Sequence, residues 1–228
     1  MEINERDGLR EVHLAIPLQP DEVAQLRLRD IVFLTGVIFT GREGVYEMLF
    51  ERGEKPPVDV AAMSNVTFHC SPAVRDDSGD GYQITSVTGT ASFRFSKYMP
   101  QLIAPYGVKA VIGKTGMPLD TYRDVFAKNG AVYLNTVGYG LGATYGASIK
   151  EVVDAVWKHE LGLAQAMWFI RVERFGPLVV ECDAAGNSLF EEENRLVDEV
   201  LSEQYKNYQR APVLKRLGEV VSPCHEMI

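Results

Sequence analysis

Alternating apolar residues and helix-like spacings divide the N-terminal part of the chain into short elements. Residues 11–17 alternate, with Val12 and Leu14 on one face, and predict an edge strand. Residues 30–40 are rich in β-branched and aromatic side chains and predict a second strand. Apolar residues then recur at helical spacing over residues 41–53, so a helix is expected to follow at once.

The middle of the chain predicts further strands and helices. Residues 65–87 predict a β-meander with a polar turn, and residues 96–106 predict a helix interrupted by prolines. Residues 108–112 predict a strand that ends in the glycine loop GKTGM. A helix over 118–128 and a strand over 131–137 come next, which together make a βαβ unit with parallel strands.

The C-terminal third predicts a glycine-rich loop at 138–146 and a helix over 149–159. Two strands are expected within 166–182, separated by a turn at Gly176. A strongly charged helix is expected over 190–208. Its apolar residues are expected to face inward: Leu196, Val197, Val200 and Leu201.

The domain organisation follows from the absence of any linker, internal repeat or low-complexity segment in the sequence. We predict one α/β domain over residues 1–228, with a mixed sheet and flanking helices. Residues 1–10 are expected to be a flexible tail, and residues 209–228 a loosely packed C-terminal tail.

Composition and charge exclude several kinds of partner. The 228 residues carry a formal net charge of -8, with a pI near 5.1, so nucleic acid and anionic membranes are unexpected partners. No stretch approaches the roughly 18 apolar residues that span a bilayer, and the charged N-terminus is unlike a signal peptide. We therefore expect a cytoplasmic protein. Because its net charge is negative, any positive potential that binds an anion must come from side chains at the binding site itself.

The cysteines indicate that metal chemistry would have to come from another chain. Cys70, Cys182 and Cys224 are odd in number and share no C-x-x-C spacing. This pattern argues against a disulfide framework and against a self-contained zinc or iron–sulfur site. We therefore predict no metal ligand in this chain.

Two predicted strands are followed by loops whose side chains could bind an anion or transfer a proton. Thr90 and Arg94 follow one of them, and Lys114 follows the other. Ligands collect at the carboxyl ends of strands in α/β sheets, and if these strands are neighbours, a hydroxyl and two cations meet in a small-anion site. Taken singly, such lysines and arginines are usually solvated surface groups. His69 lies in an alternating strand, where a hydrogen-bonded structural role is expected.

Two glycine-containing segments of the sequence partly match nucleotide-binding motifs. Gly113-Lys114-Thr115 lacks the earlier glycine of a phosphate-binding loop, because position 108 is valine. Gly138, Gly140 and Ala143 fit the degenerate dinucleotide fingerprint, but acids at the required distance lie within a predicted helix. A tight turn is the preferred interpretation of residues 138–146, and a nucleotide-binding domain is kept as the third hypothesis.

Taken together, the motifs resemble the β subunit, or C-terminal domain, of iron–sulfur class I fumarases and L-tartrate dehydratases. The resemblance extends from about residue 30 to residue 187, and it depends on the order and spacing of several short pieces. These pieces are Thr35-Gly36, Thr40-Gly41-Arg42, Phe68-His69 with Pro72, the T-x-x-x-R from Thr90 to Arg94, Gly113-Lys114 with Gly116-Met117, Glu160-Leu161-Gly162, Phe175-Gly176-Pro177-Leu178 and Gly186-Asn187.

The resemblance implies a swivelling β/β/α domain that closes over a [4Fe-4S] cluster held by three cysteines of an α subunit. It implies a hetero-oligomeric hydro-lyase, active only with that α partner, whose substrate is a small C4 dicarboxylate such as malate/fumarate or tartrate. Arg42, Arg94 and Lys114 are then expected to hold the substrate carboxylates. Thr90 is the expected proton-transfer residue, provided that an adjacent cation lowers its pKa.

Two positions depart from the family pattern. The arginine that Arg42 matches is usually followed by Asp, with His four residues after it, whereas this chain has Glu43 and Tyr46. A tyrosine ordinarily titrates near about 10 and could shuttle protons only with a shifted pKa. The alternative hypothesis is therefore a non-catalytic homologue of that subunit, which binds small anions or has a regulatory role.

Overall fold

The computed structural model describes residues 1–6, 8–76, 81–138 and 140–206. The strands are β1 (Glu2–Arg6), β2 (Leu9–Ala15), β3 (Ile31–Thr40), β4 (Val66–Phe68), β5 (Cys70–Asp76), β6 (Tyr82–Gly89), β7 (Ala110–Gly113), β8 (Val132–Thr136), β9 (Ile149–Val156) and β10 (Met167–Cys182). The helices are α1 (Pro20–Val23), α2 (Glu43–Tyr46), α3 (Val60–Met63), α4 (Met99–Tyr106), α5 (Leu119–Thr121), α6 (Ala127–Asn129), α7 (Gly142–Ala147), α8 (Lys158–Leu161) and α9 (Leu189–Tyr205). A π-helical turn follows α2 at Glu47–Glu51, another joins α5 to α6 at Tyr122–Phe126, and a 3₁₀ turn precedes α4 at Phe93–Tyr98.

The main sheet is mixed, and part of it closes on itself. Strands β2, β3, β4, β7 and β8 are parallel neighbours in that order. Strand β10 runs antiparallel to both β8 and β3, so β3, β4, β7, β8 and β10 form a closed ring of backbone pairing. The prediction of an α/β domain with a mixed sheet is confirmed.

The buried side chains form two clusters on opposite faces of these strands. Alternate positions of the ring strands, such as Val32, Ile112 and Leu134, belong to the first cluster. The intervening positions, such as Val111 and Tyr133, pack with the helices in the second cluster. This alternation is the period-two pattern of a sheet that is buried on both faces.

Left-handed glycines return two helices to the ring. Helix α4 ends at Gly107, with φ of 64°, shortly before β7. Helix α6 ends at Gly130, with φ of 56°, shortly before β8. Glycine adopts this conformation without a Cβ penalty, so each helix stops and the chain turns into the next parallel strand.

A two-stranded hairpin leaves the ring at the carboxyl end of β4 and returns to the same point. Strands β5 and β6 pair antiparallel, with Cys70 opposite Gly89 at the base. The N–H of Thr90 donates to the carbonyl of His69 at 2.6 Å, which closes the base. The predicted meander is therefore confirmed in its paired strands, while the tip of its polar turn, residues 77–80, lies outside the described residues.

The chain divides into two compact units, residues 1–190 and 191–228. Most of α9 belongs to the second unit, and the predicted C-terminal tail at 209–228 lies outside the described residues. The prediction that the apolar face of α9 is buried is wrong: Leu196, Val197 and Val200 are 46%, 52% and 57% exposed. Among the described helices, none combines the length and apolar character needed to cross a bilayer.

Three further predictions of local structure are wrong. Residues 2–6, assigned to a flexible tail, form β1 and pair with β2, so β2 lies between β1 and β3 rather than at an edge. Residues 149–156, predicted as helix, form β9 because their β-branched side chains pair with β10. Phe175-Gly176-Pro177 does not reverse the chain: β10 passes through it as one strand with two register shifts against β3.

Candidate functional site

The predicted site residues lie where neighbouring parallel strands end. Arg42 follows β3 and is the N-cap of α2. His69 follows β4, and Lys114 follows β7. Strand β4 pairs with β3 on one side and with β7 on the other, so these three residues leave the sheet at the same edge. Ligand sites of α/β sheets form at this edge.

Thr90 and Lys114 are joined through their backbones. The N–H of Lys114 donates to the carbonyl of Thr90 at 3.4 Å, and the N–H of Ser92 donates to the carbonyl of Lys114 at 2.9 Å. Ala91, between them, forms a parallel bridge with Lys114. The returning hairpin therefore places the predicted proton-transfer residue directly beside the predicted carboxylate-binding lysine.

The two arginines differ in how firmly they are held. Arg42 is half-buried and donates from Nη1 to the carbonyl of Ala164 at 3.3 Å, while its Nε is buried and has no hydrogen-bond partner among the described residues. Arg94 is 48% exposed, and its Nη1 lies 4.0 Å from Oε2 of Glu43. Its guanidinium carbon also lies 4.9 Å from the ring centroid of Phe95. An exposed ion pair of this kind holds a side chain weakly.

A buried relay of Tyr46, His69, Ser92 and Tyr133 runs beneath these residues. The Tyr46 hydroxyl lies 2.7 Å from Nε2 of His69, and Nδ1 of His69 lies 2.8 Å from Oγ of Ser92. The Tyr133 hydroxyl donates to Oγ of Ser92 at 2.7 Å and also lies 3.1 Å from the Lys114 carbonyl. Since the N–H of Tyr46 donates to the carbonyl of Arg42 at 3.0 Å, the relay links the backbone at Arg42 to that at Lys114.

Burial fixes the relay in its neutral form. Removal from water, together with a smaller effect of the positive charge of Arg94, lowers the pKa of His69 to about 3. Burial also raises the pKa of Tyr46 well above its usual value. Tyr46 is therefore a hydrogen-bonding residue in this chain rather than one tuned for proton transfer. The expected hydrogen-bonded role of His69 is confirmed.

Glycines leave the space that the relay occupies. A Cβ on Gly113 would lie 1.9 Å from Oγ of Ser92 and 2.6 Å from the Tyr133 hydroxyl. A Cβ on Gly41 would lie 2.2 Å from the Tyr46 hydroxyl. Both distances are far inside van der Waals contact, so any larger residue at either position would displace a relay hydroxyl.

Sequence reasoning missed Ser92 and Tyr133 as members of the site. Ser92 lies inside the T-x-x-x-R motif, where its polar side chain was a usable signal. Tyr133 lies between the apolar Val132 and Leu134 in β8 and is buried, and a buried hydroxyl needs a partner. Tyr46 was singled out only as a departure from the family pattern, although its spacing from Arg42 places both on one helical turn.

The glycine loop after β8 is explained by close contact with the hairpin. A Cβ on Gly146 would lie 2.2 Å from the carbonyl oxygen of Thr85, and one on Gly142 would lie 3.0 Å from Oγ1 of Thr88. Within residues 140–147 these glycines allow α7 to lie against β6. This contact accounts for the glycines without a nucleotide, and Tyr139 lies outside the described residues.

The thiols of the described residues are poor metal ligands. Cys70 and Cys182 are both buried, and burial raises the pKa of each thiol. Metals bind the thiolate, which a raised pKa disfavours. The part of the chain that the structure describes also contains no cluster of three or more His, Cys, Asp or Glu side chains able to hold an ion. Cys224 lies outside that part.

Comparison with known proteins gives one family and several relatives. The family described as fumarase C-terminus matches residues 1–193. The L(+)-tartrate dehydratase subunit beta of Escherichia coli K12 is 30% identical over 209 residues, which cover 91% of this chain and 96% of that protein. A Methanocaldococcus jannaschii protein provisionally named L(+)-tartrate dehydratase subunit beta is 33% identical over 189 residues, which cover 82% of this chain and 94% of the relative.

A longer relative comes from Geobacillus stearothermophilus and is provisionally named class I fumarate hydratase. It is 32% identical over 194 residues, which cover 85% of this chain but only 36% of that protein. The chain thus matches nearly the full length of two relatives and about a third of the other. On the match of residues 1–193, this chain belongs to the fumarase C-terminus family.

Proposed function

We propose that the chain is the β subunit of a cytoplasmic hydro-lyase that reversibly removes water from a C4 hydroxy-dicarboxylate, either malate or tartrate. Two relatives covered almost completely by this chain carry the name of a tartrate dehydratase β subunit, which supports a partnership with an α subunit. In this proposal the domain swivels to close over the cluster that the α subunit carries.

The observation that carries the proposal is the junction of Thr90 with Lys114. Thr90, which carries a hydroxyl, and Lys114, which carries an ammonium group, have hydrogen-bonded backbones. They lie at the sheet edge where Arg42 is the N-cap of α2. A C4 dicarboxylate presents two negative ends. Three cations at one edge match that charge, and each charge-assisted contact contributes about 1.5–3 kcal/mol.

The residues of this chain then divide the chemistry between binding and proton transfer. Arg42, Arg94 and Lys114 hold the two carboxylates and stabilise the charge that develops when the carbon next to one of them loses its proton. Ionised Thr90 takes that proton, the bond from the neighbouring carbon to its hydroxyl breaks, and the hydroxyl leaves as water with a proton from solvent, to which Thr90 then returns the proton that it took. The adjacent positive charge favours the ionised form of Thr90.

A [4Fe-4S] cluster held by cysteines of the α subunit would supply the Lewis acid for the leaving hydroxyl. The buried thiols of Cys70 and Cys182 do not suit that role, so we assign every cluster ligand to the partner.

Coexpression of this chain with its α subunit and an anaerobic assay test the proposal. We expect loss of water from malate or from tartrate by the pair, and no activity from either chain alone. Lys114→Met, Arg94→Ala and Thr90→Val should each lower kcat/KM by at least about 100-fold, as removal of transition-state contacts does. Wild-type rates in all three variants would exclude this site.

A second candidate is a homologue that binds dicarboxylates without turnover. This candidate is favoured by Tyr46, whose buried hydroxyl is hydrogen-bonded to His69. Burial raises the pKa of Tyr46, which makes its side chain unsuited to proton transfer. This candidate predicts dicarboxylate binding by the purified pair with no release of water. Turnover of any C4 hydroxy-dicarboxylate by the pair would exclude it.

A further inference from the structure

We propose that Glu181 is a positioning residue, which holds the lysine loop, residues Lys114–Met117, in a backbone conformation that it would not otherwise keep. The inference rests on the proposed function in one respect, namely that Lys114 binds a carboxylate. Glu181 acts through Tyr122, from which it accepts a hydrogen bond.

The lysine loop has an unfavourable backbone. Thr115 has φ of 72° and Gly116 has φ of 71°. A β-branched residue rarely adopts the left-handed region, and when it does, the surrounding structure must impose it. Thr115 follows Lys114 directly, so relaxation of its φ would redirect the chain that carries the ammonium group.

A buried carboxylate supports this loop through one tyrosine. The N–H of Met117 donates to the Tyr122 hydroxyl at 2.8 Å, and that hydroxyl in turn donates to Oε2 of Glu181. Oγ of Ser188 donates to Oε1 of Glu181 at 2.6 Å. Both carboxylate oxygens are therefore bonded, one of them to the group that fixes the end of the loop.

Two observations indicate that this contact serves the loop and does more than fill space. Glu181 is 0% exposed, and no salt bridge found among the described residues involves it, so burial is costly and raises its pKa. The support is also fitted closely to the loop. A Cβ on Gly116 would lie 3.0 Å from the Tyr122 hydroxyl and 3.2 Å from Oε2 of Glu181.

The test first weakens the hydrogen bonds of Glu181 and Tyr122 that support the lysine loop, and then relieves the backbone strain at Thr115 that makes this support necessary. Glu181→Gln keeps the shape of the side chain but replaces the charged acceptor of the Tyr122 hydroxyl with a weaker, neutral one, and Tyr122→Phe removes only the bridging hydroxyl. In each variant of the full-length chain, hydrogen exchange at the Met117 amide should accelerate about tenfold or more. The affinity for succinate, a C4 dicarboxylate probe, should fall about fivefold as Thr115 relaxes.

Thr115→Gly should rescue either variant. Glycine adopts the left-handed region without a Cβ penalty, so a loop with glycine in place of Thr115 needs no support. We expect Glu181→Gln combined with Thr115→Gly to bind succinate within about twofold of the wild type. A loss that persists in the double variant would overturn the proposal, because a purely structural Glu181 would not be rescued by a change of backbone preference.

Glu51→Gln is the matched control. Glu51 also accepts a hydrogen bond from a tyrosine, Tyr98, at 2.6 Å, but it lies in the π-helical turn after α2. This variant should leave exchange at Met117 unchanged. Unchanged exchange in both Glu181→Gln and Tyr122→Phe would overturn the proposal even if succinate binds. Absence of succinate binding by the wild-type chain paired with its α subunit would instead count against the proposed function, since the exchange measurement needs no ligand.

Discussion

The backbone N–H of Lys114 donates to the carbonyl of Thr90 at 3.4 Å. The two residues follow different strands, Lys114 after β7 and Thr90 after β6. The bridge between Ala91 and Lys114 adds a second link at the same place. The backbones of the two residues are therefore held together without help from their side chains, so substitutions at either side chain should change binding or proton transfer with little change in the backbone.

Lys114→Met should weaken the binding of succinate about tenfold, because it removes one charge-assisted contact to a carboxylate. Binding is measured by calorimetry on the full-length chain. Lys109→Met is the control, since Lys109 precedes the opposite end of β7 and donates from Nζ to the carbonyl of Asn129 at 2.6 Å. An equal loss of affinity in both variants would show that charge at the strand end is not what binds the ligand.

The free energy of unfolding should decrease as the pH falls through the window from about 6.5 to 3. The unfolded chain protonates His69 at its ordinary pKa of 6.5, whereas the folded chain resists protonation until pH is about 3. The unfolded state thus binds more protons in this window, and the difference amounts to roughly 3–5 kcal/mol.

His69→Gln should flatten this part of the stability curve relative to the wild type in urea titrations across the pH range. The comparison with the wild type removes the opposite contribution of Asp30 and Glu181, whose pKa values burial raises, so that they favour the folded state at low pH. His159→Gln, at an exposed histidine, is the matched control for the substitution itself. A slope that survives in His69→Gln would mean that this imidazole is not the group responsible.

Gly113→Ala should lower the free energy of unfolding by about 1–3 kcal/mol, because its methyl group would occupy the space of the Ser92 and Tyr133 hydroxyls. The same variant should lose succinate binding, since both hydroxyls lie beside the Lys114 backbone. Gly140→Ala serves as the control because a Cβ there meets nothing within 4 Å. Equal stability of the two variants in urea would argue against a close-fitting relay.

Val200→Ala should change the free energy of unfolding by less than about 0.5 kcal/mol, because the side chain is 57% exposed. Val111→Ala, the buried counterpart in β7, should cost about 2 kcal/mol through lost apolar burial and a residual cavity. Both values come from chemical denaturation. A cost at Val200 that matches the cost at Val111 would mean that the face of α9 is covered in solution.

The sequence was most informative where local pattern and tertiary structure agree. The predicted parallel unit is formed by β7, the helical segment after it and β8. Here the apolar runs bounded by glycines, which the sequence predicts to be buried strands, are buried strands in the fold. Arg42, Arg94 and Lys114 were also predicted as site residues from motif order, and their roles stay predictions. Their distances from one another follow from strand order, which periodicity does not reveal.

The errors occurred where a distant partner determines the structure. Residues 149–156 contain apolar spacings compatible with a helix, but pairing with β10 makes them a strand. The relay was missed for a related reason. Tyr46, His69, Ser92 and Tyr133 come from four separate segments of the chain, and the sequence does not show which partners their polar side chains meet once the ring closes.

The hairpin of β5 and β6 begins at Cys70 and returns at Gly89, and these two residues face each other across its base. An excursion that departs and arrives at one place can vary in length at its far end without moving the strands that support it. Natural variation in length, or a grafted recognition peptide, would thus be accommodated past Asp76 and Tyr82. The arrangement at the base, where Thr90 meets Lys114, would keep its shape.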